Sequence, residues 1–321
     1  MTTFKEIKGT LIKSLSSDPS PAAAGEMWYN STSQTLKGQL SVTAWSSAPA
    51  PAVNVDSFSS GGTQTAAILA GAGGANPPNA AKAEEYDGSS WTALTNMPAA
   101  YGYGVSCGTV SDLAHMGGGS PSNVTTVFDW NGSGWTTGAA LPAASVEAGV
   151  CGPGQQALYV GGANPGGFLA ATHERSAGSW TTTGNLNTAR YSSQATGTKA
   201  DSICSGGYGG AYLANSETYD GSSWTNSTAM PQPRGYSGSS GSSSDDQFMF
   251  GGTSPATPSV STTSVKWNGS SWSTDASLSS AKSGLGGFGS STAALCGGSG
   301  NSPGASEEYN DGPATKTFTT S

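Results

Sequence analysis

The sequence predicts an all-β protein folded as a six-bladed β-propeller. Three observations lead to this prediction: glycine doublets recur at a nearly constant spacing, tryptophans recur at the same spacing, and an Asp-Gly or Asn-Gly pair precedes most of those tryptophans. Repeats of roughly 40–50 residues with about four short strands each are typical of propeller blades. A stacked solenoid is the alternative repeat architecture, but it favours a shorter period and polar caps.

The glycine doublets follow apolar or small-residue segments, and their first glycines are 44, 44, 45, 45 and 46 residues apart. The doublets are Gly73-Gly74, Gly117-Gly118, Gly161-Gly162, Gly206-Gly207, Gly251-Gly252 and Gly297-Gly298. A loop follows each doublet, not a lysine-bearing helix, so they are not phosphate-binding loops. We expect close backbone packing at these positions, where strands converge on the axis.

The tryptophans share the same period, with steps of 46, 44, 45, 44 and 48 residues. They are Trp45, Trp91, Trp135, Trp180, Trp224 and Trp272. Burying one such side chain removes roughly 150–250 Å² from solvent, which stabilises by at most about 4–6 kcal/mol. We therefore expect each tryptophan to anchor its blade against a neighbour. With six such anchors the four cysteines are not needed as disulfides, and we expect buried free thiols.

Each repeat has the same internal order. A small-residue strand leads to an apolar strand such as Ala66–Ala70, then to a variable loop, a strand ending in an aromatic residue, a turn and the tryptophan strand. The turns are Asp87-Gly88, Asn131-Gly132, Asp220-Gly221 and Asn268-Gly269. Such pairs predict two-residue hairpins of type I′, in which both central residues have positive φ.

The repeats leave the N-terminus outside. Residues 1–38 are predicted to be a docking arm with a β-hairpin whose turn lies near Asn30–Ser33, and residues 39–321 to be the propeller.

The register of the repeats predicts how the ring closes. The chain enters with a tryptophan strand and leaves after the third strand of its last repeat, at Tyr309. The strand around Leu40–Trp45 is therefore expected to complete the last blade. The C-terminal segment Thr315–Thr320 could instead compete for that place or add to it.

Composition excludes several classes of function. The net charge is −8, the pI is about 4.6 and only 10% of residues are charged, so no basic face for nucleic acid or for an anionic membrane is expected. No run of 18 apolar residues and no signal-peptide pattern is present, which predicts a chain made in a cytoplasm, not inserted in a membrane and not exported by the standard route.

The repeats resemble kelch repeats at three positions: the glycine doublet, the aromatic residue one turn before the tryptophan, and the tryptophan itself. The resemblance covers about Leu40 to Tyr309 and implies a kelch-like propeller. Kelch repeats usually carry a basic residue shortly after a Leu/Met-Pro step. Three of the five matching positions comply; the five are Tyr101, Ser145, Arg190, Arg234 and Lys282.

A second resemblance concerns bacteriophage virion proteins. The segment Gly25–Lys37 resembles the Gly-Glu-x-Trp/Tyr-Tyr-Asn-x-Thr segment of phage tail-fibre and other virion proteins. Segments Tyr86–Thr92, Tyr219–Thr225 and Asn185–Arg190 resemble repeats of marine cyanophage structural proteins. This resemblance implies a tail-associated appendage of the virion that binds other virion proteins through its N-terminal arm, with an oligomeric state set by the virion.

Enzyme chemistry finds little support. A kelch-type copper oxidase needs two converging histidines, but His115 and His173 lie on different strand types of neighbouring repeats. A six-bladed sialidase needs an arginine triad, and of the three arginines only Arg190 and Arg234 share a repeat position. Asp245-Asp246 could hold calcium but lacks companion ligands. We therefore predict no catalytic residue, metal or cofactor.

Two surfaces are candidates for binding. The loops after the glycine doublets contain Phe168, Tyr208 and Tyr212, which could stack on sugar rings. The repeat-equivalent residues Tyr101, Arg190, Arg234 and Lys282 form an arc along one rim, or else bridge neighbouring blades. The predicted function is that of a non-enzymatic phage virion protein for host attachment. Its expected ligands are glycans of the host surface. The alternatives are a bacterial carbohydrate-binding or adhesive propeller and a capsid decoration protein.

Overall fold

A computed structural model describes residues 12–22, 25–52, 59–71, 81–119, 122–255, 259–298 and 306–318. The doublet Gly73-Gly74, the first eleven residues of the expected docking arm and the last residues of the C-terminal segment lie outside this part of the chain. The described residues form two compact units, one of Met1–Ala44 with Asn310–Ser321 and one of Trp45–Tyr309.

The smaller unit is built on a hairpin. Its strands are β1 Lys13–Leu15, β2 Met27–Asn30 and the first part of β3 Thr35–Ala48. Strands β2 and β3 are antiparallel, with Asn30 paired to Thr35, and β1 pairs with β2 in parallel. Asp18 holds the hairpin because its carboxylate accepts hydrogen bonds from the indole of buried Trp28 at 2.9 Å and from the Asn30 amide at 2.7 Å.

The larger unit consists of sheets that follow one another along the chain. Sheet 1 holds β4 Ser59–Thr63, β5 Ala66–Ala70, β6 Ala83–Tyr86 and β7 Trp91–Ala93; sheet 2 holds β8 Val105–Thr109, β9 Asp112–Met116, β10 Val127–Trp130 and β11 Trp135–Thr137. Sheet 3 holds β12 Gly149–Cys151, β13 Leu158–Val160, β16 Thr172–Ser176 and β17 Ser179–Thr183, with the 3₁₀ helix Gly154–Gln156 and the small hairpin of β14 Ala163–Asn164 and β15 Gly167–Phe168 in its loops. Sheet 4 holds β18 Gln194–Thr198, β19 Asp201–Ser205, β20 Ser216–Tyr219 and β21 Trp224–Ser227; sheet 5 holds β22 Gly238–Ser243, β23 Asp246–Phe250, β24 Ser264–Trp267 and β25 Trp272–Asp275.

A sixth sheet combines both ends of the chain. Within the larger unit its order is β26 Gly286–Gly289, β27 Ala293–Gly297, the first part of β28 Ser306–Phe318 and then the end of β3. There, Trp45 of β3 packs against Tyr309 of β28, with ring centroids 5.2 Å apart. The end of β3 therefore occupies the outer place of this sheet in the larger unit.

The fold is all-β and β-propeller-like. The first strand of each sheet contacts the first strand of the next: β4 contacts β8, then β12, β18, β22 and β26 follow in turn, and β26 contacts β4. This cycle is possible because the first strands are rich in small residues. A Cβ on Gly287 would lie 2.2 Å from the Ser239 carbonyl oxygen of the neighbouring sheet, and one on Gly61 would lie 2.4 Å from Leu113 Cδ1.

The core lies in and between the sheets. Second strands such as β9 and β23 carry almost continuous buried side chains, as expected for strands covered on both faces. All four cysteines are buried free thiols, which confirms the sequence-based expectation. Among the described residues, no helix is long and apolar enough to span a bilayer.

The glycine doublets attach each sheet to the loop that leads to the next one. In four doublets both glycines have positive φ, between 63° and 97°. The second glycine donates its N–H to a carbonyl of that loop, as Gly118 does to Ser145 and Gly207 to Arg234. A Cβ on Gly206 would lie 2.5 Å from the Arg234 oxygen, so only glycine fits. Close backbone packing is confirmed at these four doublets, but the close contacts are with the inter-sheet loops and not with strands that converge on an axis.

The Asx-Gly hairpins form, but the predicted turn type is wrong. At Asp87-Gly88 only the glycine has positive φ, 89°, and the pair Tyr86–Trp91 closes the hairpin. Glycine at the first central position is the pattern of a type II′ turn, not type I′. The Asp87 side chain stands just before the turn and accepts the backbone N–H groups of Ser89 and Ser90 at 2.8 and 2.7 Å.

Candidate functional site

The six repeat tryptophans connect neighbouring sheets. Each indole N–H donates a hydrogen bond to the preceding sheet or to the loop that leaves it, at 2.9–3.0 Å; the acceptors are Ala276 for Trp45, Pro49 for Trp91, Thr95 for Trp135, Ala139 for Trp180, Thr172 for Trp224 and Thr228 for Trp272. Five acceptors are backbone carbonyls, and the Thr172 acceptor is a hydroxyl. The tryptophans therefore belong to the framework and not to a ligand site.

The expected arc of basic residues lies inside the protein. Arg190, Arg234 and Lys282 are 0, 2 and 0% exposed. Tyr101, at the equivalent place in an earlier repeat, is half-buried and stacks on Phe128 with ring centroids 6.1 Å apart. These positions are equivalent, as the repeat predicts, but their side chains enter the sheet that follows and do not face solvent. We therefore assign them no ligand.

Two of these basic groups each pair with a carboxylate in the third strand of the following sheet. Arg190 donates to Glu217 at 2.5 Å, and Lys282 pairs with Glu307 in the same way. Arg234 faces Val265 at the corresponding position and donates instead to the Gly251 and Thr263 carbonyls. Without a carboxylate, burial lowers the pKa of Arg234 to about 10.

The same carboxylate also holds the loop that comes from the preceding sheet. Backbone N–H groups at one repeat position donate to it: Ala52 to Glu84 at 2.9 Å, Asn187 to Glu217 at 2.7 Å and Ser279 to Glu307 at 2.9 Å. In the three remaining repeats that loop position is proline, which has no N–H, and the strand residue is not acidic. These pairs are Pro98 with Phe128, Pro142 with His173, and Pro231 with Val265.

Five aromatic side chains, here called the aromatic patch, gather at one end of the larger unit: Phe168, Tyr191, Tyr208, Tyr212 and Tyr236. Phe168 stacks on Tyr191 with centroids 5.5 Å apart, and Tyr208 meets both edge-on. Phe168 is 42% exposed, while the four tyrosines are half-buried. Three members were expected from the sequence; Tyr191 and Tyr236 were missed.

Short bridges between two kinds of loop build this patch. Tyr208 follows a glycine doublet and pairs with Tyr191, which lies in the loop between sheets 3 and 4, and with Tyr212. Phe168 stands at the tip of the small hairpin β14–β15. The loops after the doublets and the loops between sheets therefore meet at the same end of the unit.

At this end, one position of each of the five inter-sheet loops from sheet 1 to sheet 6 has left-handed backbone. The residues are Tyr103, Glu147, Ser192, Tyr236 and Gly284, with φ between 52° and 67°. Each of the last four donates its N–H to the carbonyl of the one before it, from Glu147 to Tyr103 through to Gly284 to Tyr236, at 2.7–3.3 Å. Left-handed backbone costs about 1–2 kcal/mol for a residue with a side chain, so glycine, as at Gly284, is the least strained choice.

The same five residues line a cavity of about 70 Å³, here called the axial cavity. It adjoins a channel of about 380 Å³ lined by the first strands of the sheets, and Val105, Ala148 and Leu285 line both. The axial cavity also meets the aromatic patch, since Tyr236 belongs to both and its hydroxyl lies 3.4 Å from that of Tyr191.

Glu147 is the charged group of the axial cavity. Its carboxylate accepts a hydrogen bond from the Ser192 hydroxyl and lies near the Tyr236 hydroxyl, and burial raises its pKa. Burial and, after it, the nearby carboxylate raise the pKa of Tyr236 as well. No cation pairs with Glu147 among the described residues. A half-buried carboxylate beside aromatic rings and hydroxyls suits a polar, hydroxyl-rich or cationic ligand.

The two histidines occupy separate sheets. His115 Nδ1 lies 3.1 Å from the Ser106 hydroxyl within sheet 2, and His173 Nδ1 lies 3.0 Å from the Thr182 hydroxyl within sheet 3. Burial lowers the pKa of both. Within the described ranges, no three His, Cys, Asp or Glu side chains form a cluster able to hold a metal ion.

Comparison with known proteins identifies the fold and not the family. No protein-family model and no curated protein matches the chain. Solved structures do match, 286 chains in all. The structure of YjhT aligns with a TM-score of 0.68 at 13% sequence identity, and the alignment covers 84% of this chain and 99% of the YjhT chain. At this identity the likeness shows the fold alone.

Proposed function

We propose that this protein is a non-enzymatic structural protein of a bacteriophage virion, a six-bladed kelch-like propeller of a tail appendage that binds host-surface glycan. The closed cycle of first strands from β4 to β26 supports six blades. The kelch-like and phage-like sequence motifs support the family and the location. The observation that carries glycan binding is the aromatic patch beside the axial cavity, because flat apolar rings with hydroxyls and a carboxylate nearby match the faces and edges of sugars.

The smaller unit is the proposed attachment point to the virion. Three of the four large hydrophobic side chains that are most exposed among the described residues lie in it: Ile12, Tyr29 and Phe318. Exposed apolar side chains of this kind are common at protein–protein interfaces. The larger unit then carries the ligand site, with Phe168 as its most exposed aromatic residue.

Adhesion of the purified chain to host cells tests the glycan role. Phe168→Ala combined with Tyr208→Ala removes two stacking surfaces, and we expect at least a tenfold loss of binding, since an aromatic contact contributes roughly 0.5–1.5 kcal/mol beyond its buried area. Tyr29→Ala is the matched control, because Tyr29 is similarly exposed, at 39%, but lies in the smaller unit. Equal binding by the double variant and the control would refute the proposed ligand surface.

Detection of the chain in purified phage particles by mass spectrometry tests the virion role. The proposal predicts that peptides of this chain are detected, in a fixed ratio to other virion proteins, in particles purified on a density gradient. Glycan binding without any virion association would favour the alternative of a bacterial adhesive propeller. Virion association with no binding to cells would favour a decoration protein.

A further inference from the structure

The residues of the axial cavity keep side chains where backbone geometry favours glycine. Gly284 shows that glycine satisfies this position in one repeat, yet the four preceding repeats carry Tyr103, Glu147, Ser192 and Tyr236 there, all with left-handed φ. Strained non-glycine residues concentrate at functional sites. Here all four side chains line the same small cavity, so their presence calls for a shared role.

Glu147 brings to this cavity a charge that no cation of the described residues compensates. Lysine and arginine neutralise buried carboxylates elsewhere in the protein, as at Arg190–Glu217 and Lys282–Glu307. Within the described part of the chain, the Glu147 carboxylate accepts from the Ser192 hydroxyl and is paired with no lysine or arginine. A buried charge without a counter-ion is unfavourable in the free protein, and a cationic ligand would remove that cost.

The size and lining of the cavity narrow the choice of cation. At about 70 Å³ the cavity holds a small head group and not a sugar ring. A carboxylate has about four acceptor sites, of which the Ser192 hydroxyl uses one here, and a primary ammonium group offers three donors. The rings of Tyr103 and Tyr236 complete surroundings of the kind that aromatic residues provide for ammonium groups. A divalent metal ion would need more oxygen ligands than this single carboxylate supplies.

We propose that the axial cavity binds a primary ammonium group through Glu147, and that the glycan held by the aromatic patch therefore contains a free amino sugar. This inference rests on the proposed glycan binding. The patch and the cavity are continuous through Tyr191 and Tyr236, whose ring centroids are 6.3 Å apart. A sugar stacked on the patch can thus direct its amino group at Glu147.

Binding of two matched oligosaccharides tests the proposal: the β-1,4-linked tetramer of glucosamine and the same tetramer with every amine acetylated. The full chain should bind the free amine about 10- to 100-fold more tightly, as expected for a charge-assisted hydrogen bond. Glu147→Gln should abolish that preference and leave the affinity for the acetylated tetramer unchanged. Glu85→Gln, which changes a partly exposed carboxylate of sheet 1, should alter neither affinity.

Thermal stability separates a ligand-binding role from a structural one. If Glu147 serves a ligand, Glu147→Gln removes an unpaired buried charge and should melt at the same or a higher temperature. Glu147→Gly, which copies Gly284, should also fold. A lower melting temperature for Glu147→Gln, or equal affinity of the wild type for both tetramers, would overturn the ammonium site. If the wild type bound no glycan at all, that result would instead overturn the proposed function, and this inference with it.

Discussion

Replacing Ser279 by proline tests how the carboxylate of one sheet holds the loop from the preceding sheet. The Ser279 N–H donates to Glu307 at 2.9 Å, and its side chain is exposed. A hydrogen bond to a charged group contributes about 1.5–3 kcal/mol. Proline also stabilises the folded protein by about 0.4–1 kcal/mol, because it lowers the conformational entropy of the unfolded chain. The expected net loss in the free energy of unfolding is therefore about 1–2 kcal/mol.

The protein contains its own evidence that proline fits this position. Pro98, Pro142 and Pro231 occupy it in three other repeats, each opposite a strand residue that is not a carboxylate. Backbone strain is thus not expected, and the loss isolates the N–H group. For a unit of this size, about 1–2 kcal/mol corresponds to a fall in melting temperature of about 2–8 °C.

Urea and thermal unfolding of Ser279→Pro and Ser279→Ala provide the assay. Alanine keeps the backbone N–H, so Ser279→Ala should match the wild type. A proline variant as stable as the alanine variant would refute the idea that this hydrogen bond joins the sheets. A loss in both variants would assign the effect to the serine side chain instead.

Three further predictions concern buried groups. Glu217→Val should lower the free energy of unfolding by roughly 3–5 kcal/mol in urea titrations, because Arg190 would remain buried without its partner; an unchanged midpoint would contradict this. His115 has a pKa lowered to about 4 by burial, so the unfolded chain binds its proton first as the pH falls below about 6.5, and stability should drop by roughly 3 kcal/mol between there and pH 4. His115→Gln should flatten that part of the pH profile, and an identical slope in both proteins would count against the assignment. The four thiols should resist a thiol reagent in the native protein and react on unfolding, because burial raises the pKa of Cys107 and Cys296 to about 12; rapid native labelling would show that they are accessible.

Much of the fold can be predicted from the sequence because its determinants are local. A glycine doublet marks left-handed backbone, and an Asx-Gly pair marks a hairpin. An aromatic residue such as Tyr219, five positions before Trp224, marks the adjoining strand. The outer place of β3 in the last sheet also followed from the repeat register. The turn type was wrong because the Asp or Asn before each glycine uses its side chain to cap the turn and keeps negative φ itself.

The direction of the basic side chains could not be predicted from their spacing. Arg190, Arg234 and Lys282 share a repeat position, but position alone does not separate a solvent-facing rim from a buried ion pair. A usable signal was present in the third strand of the following sheet, where Glu217 and Glu307 supply carboxylates and Val265 does not. Reading each basic residue together with that partner would have indicated burial.

The axial cavity was missed for a related reason. Tyr103, Glu147, Ser192 and Tyr236 each lie two residues after the repeat position that Arg190 and Arg234 share. Of the five described residues at this second position, Gly284 alone indicates left-handed backbone from its residue type. Their side chains meet only when the sheets close into a cycle. The site therefore depends on tertiary structure, although each member could be aligned from the repeat.

A crystal structure of the full chain with the glucosamine tetramer tests the central claim most directly. The account predicts sugar density across Phe168 and Tyr208, with an amino group within hydrogen-bond distance of the Glu147 carboxylate. Sugar bound at another surface of the protein, with the aromatic patch and the axial cavity free of it, would contradict the account.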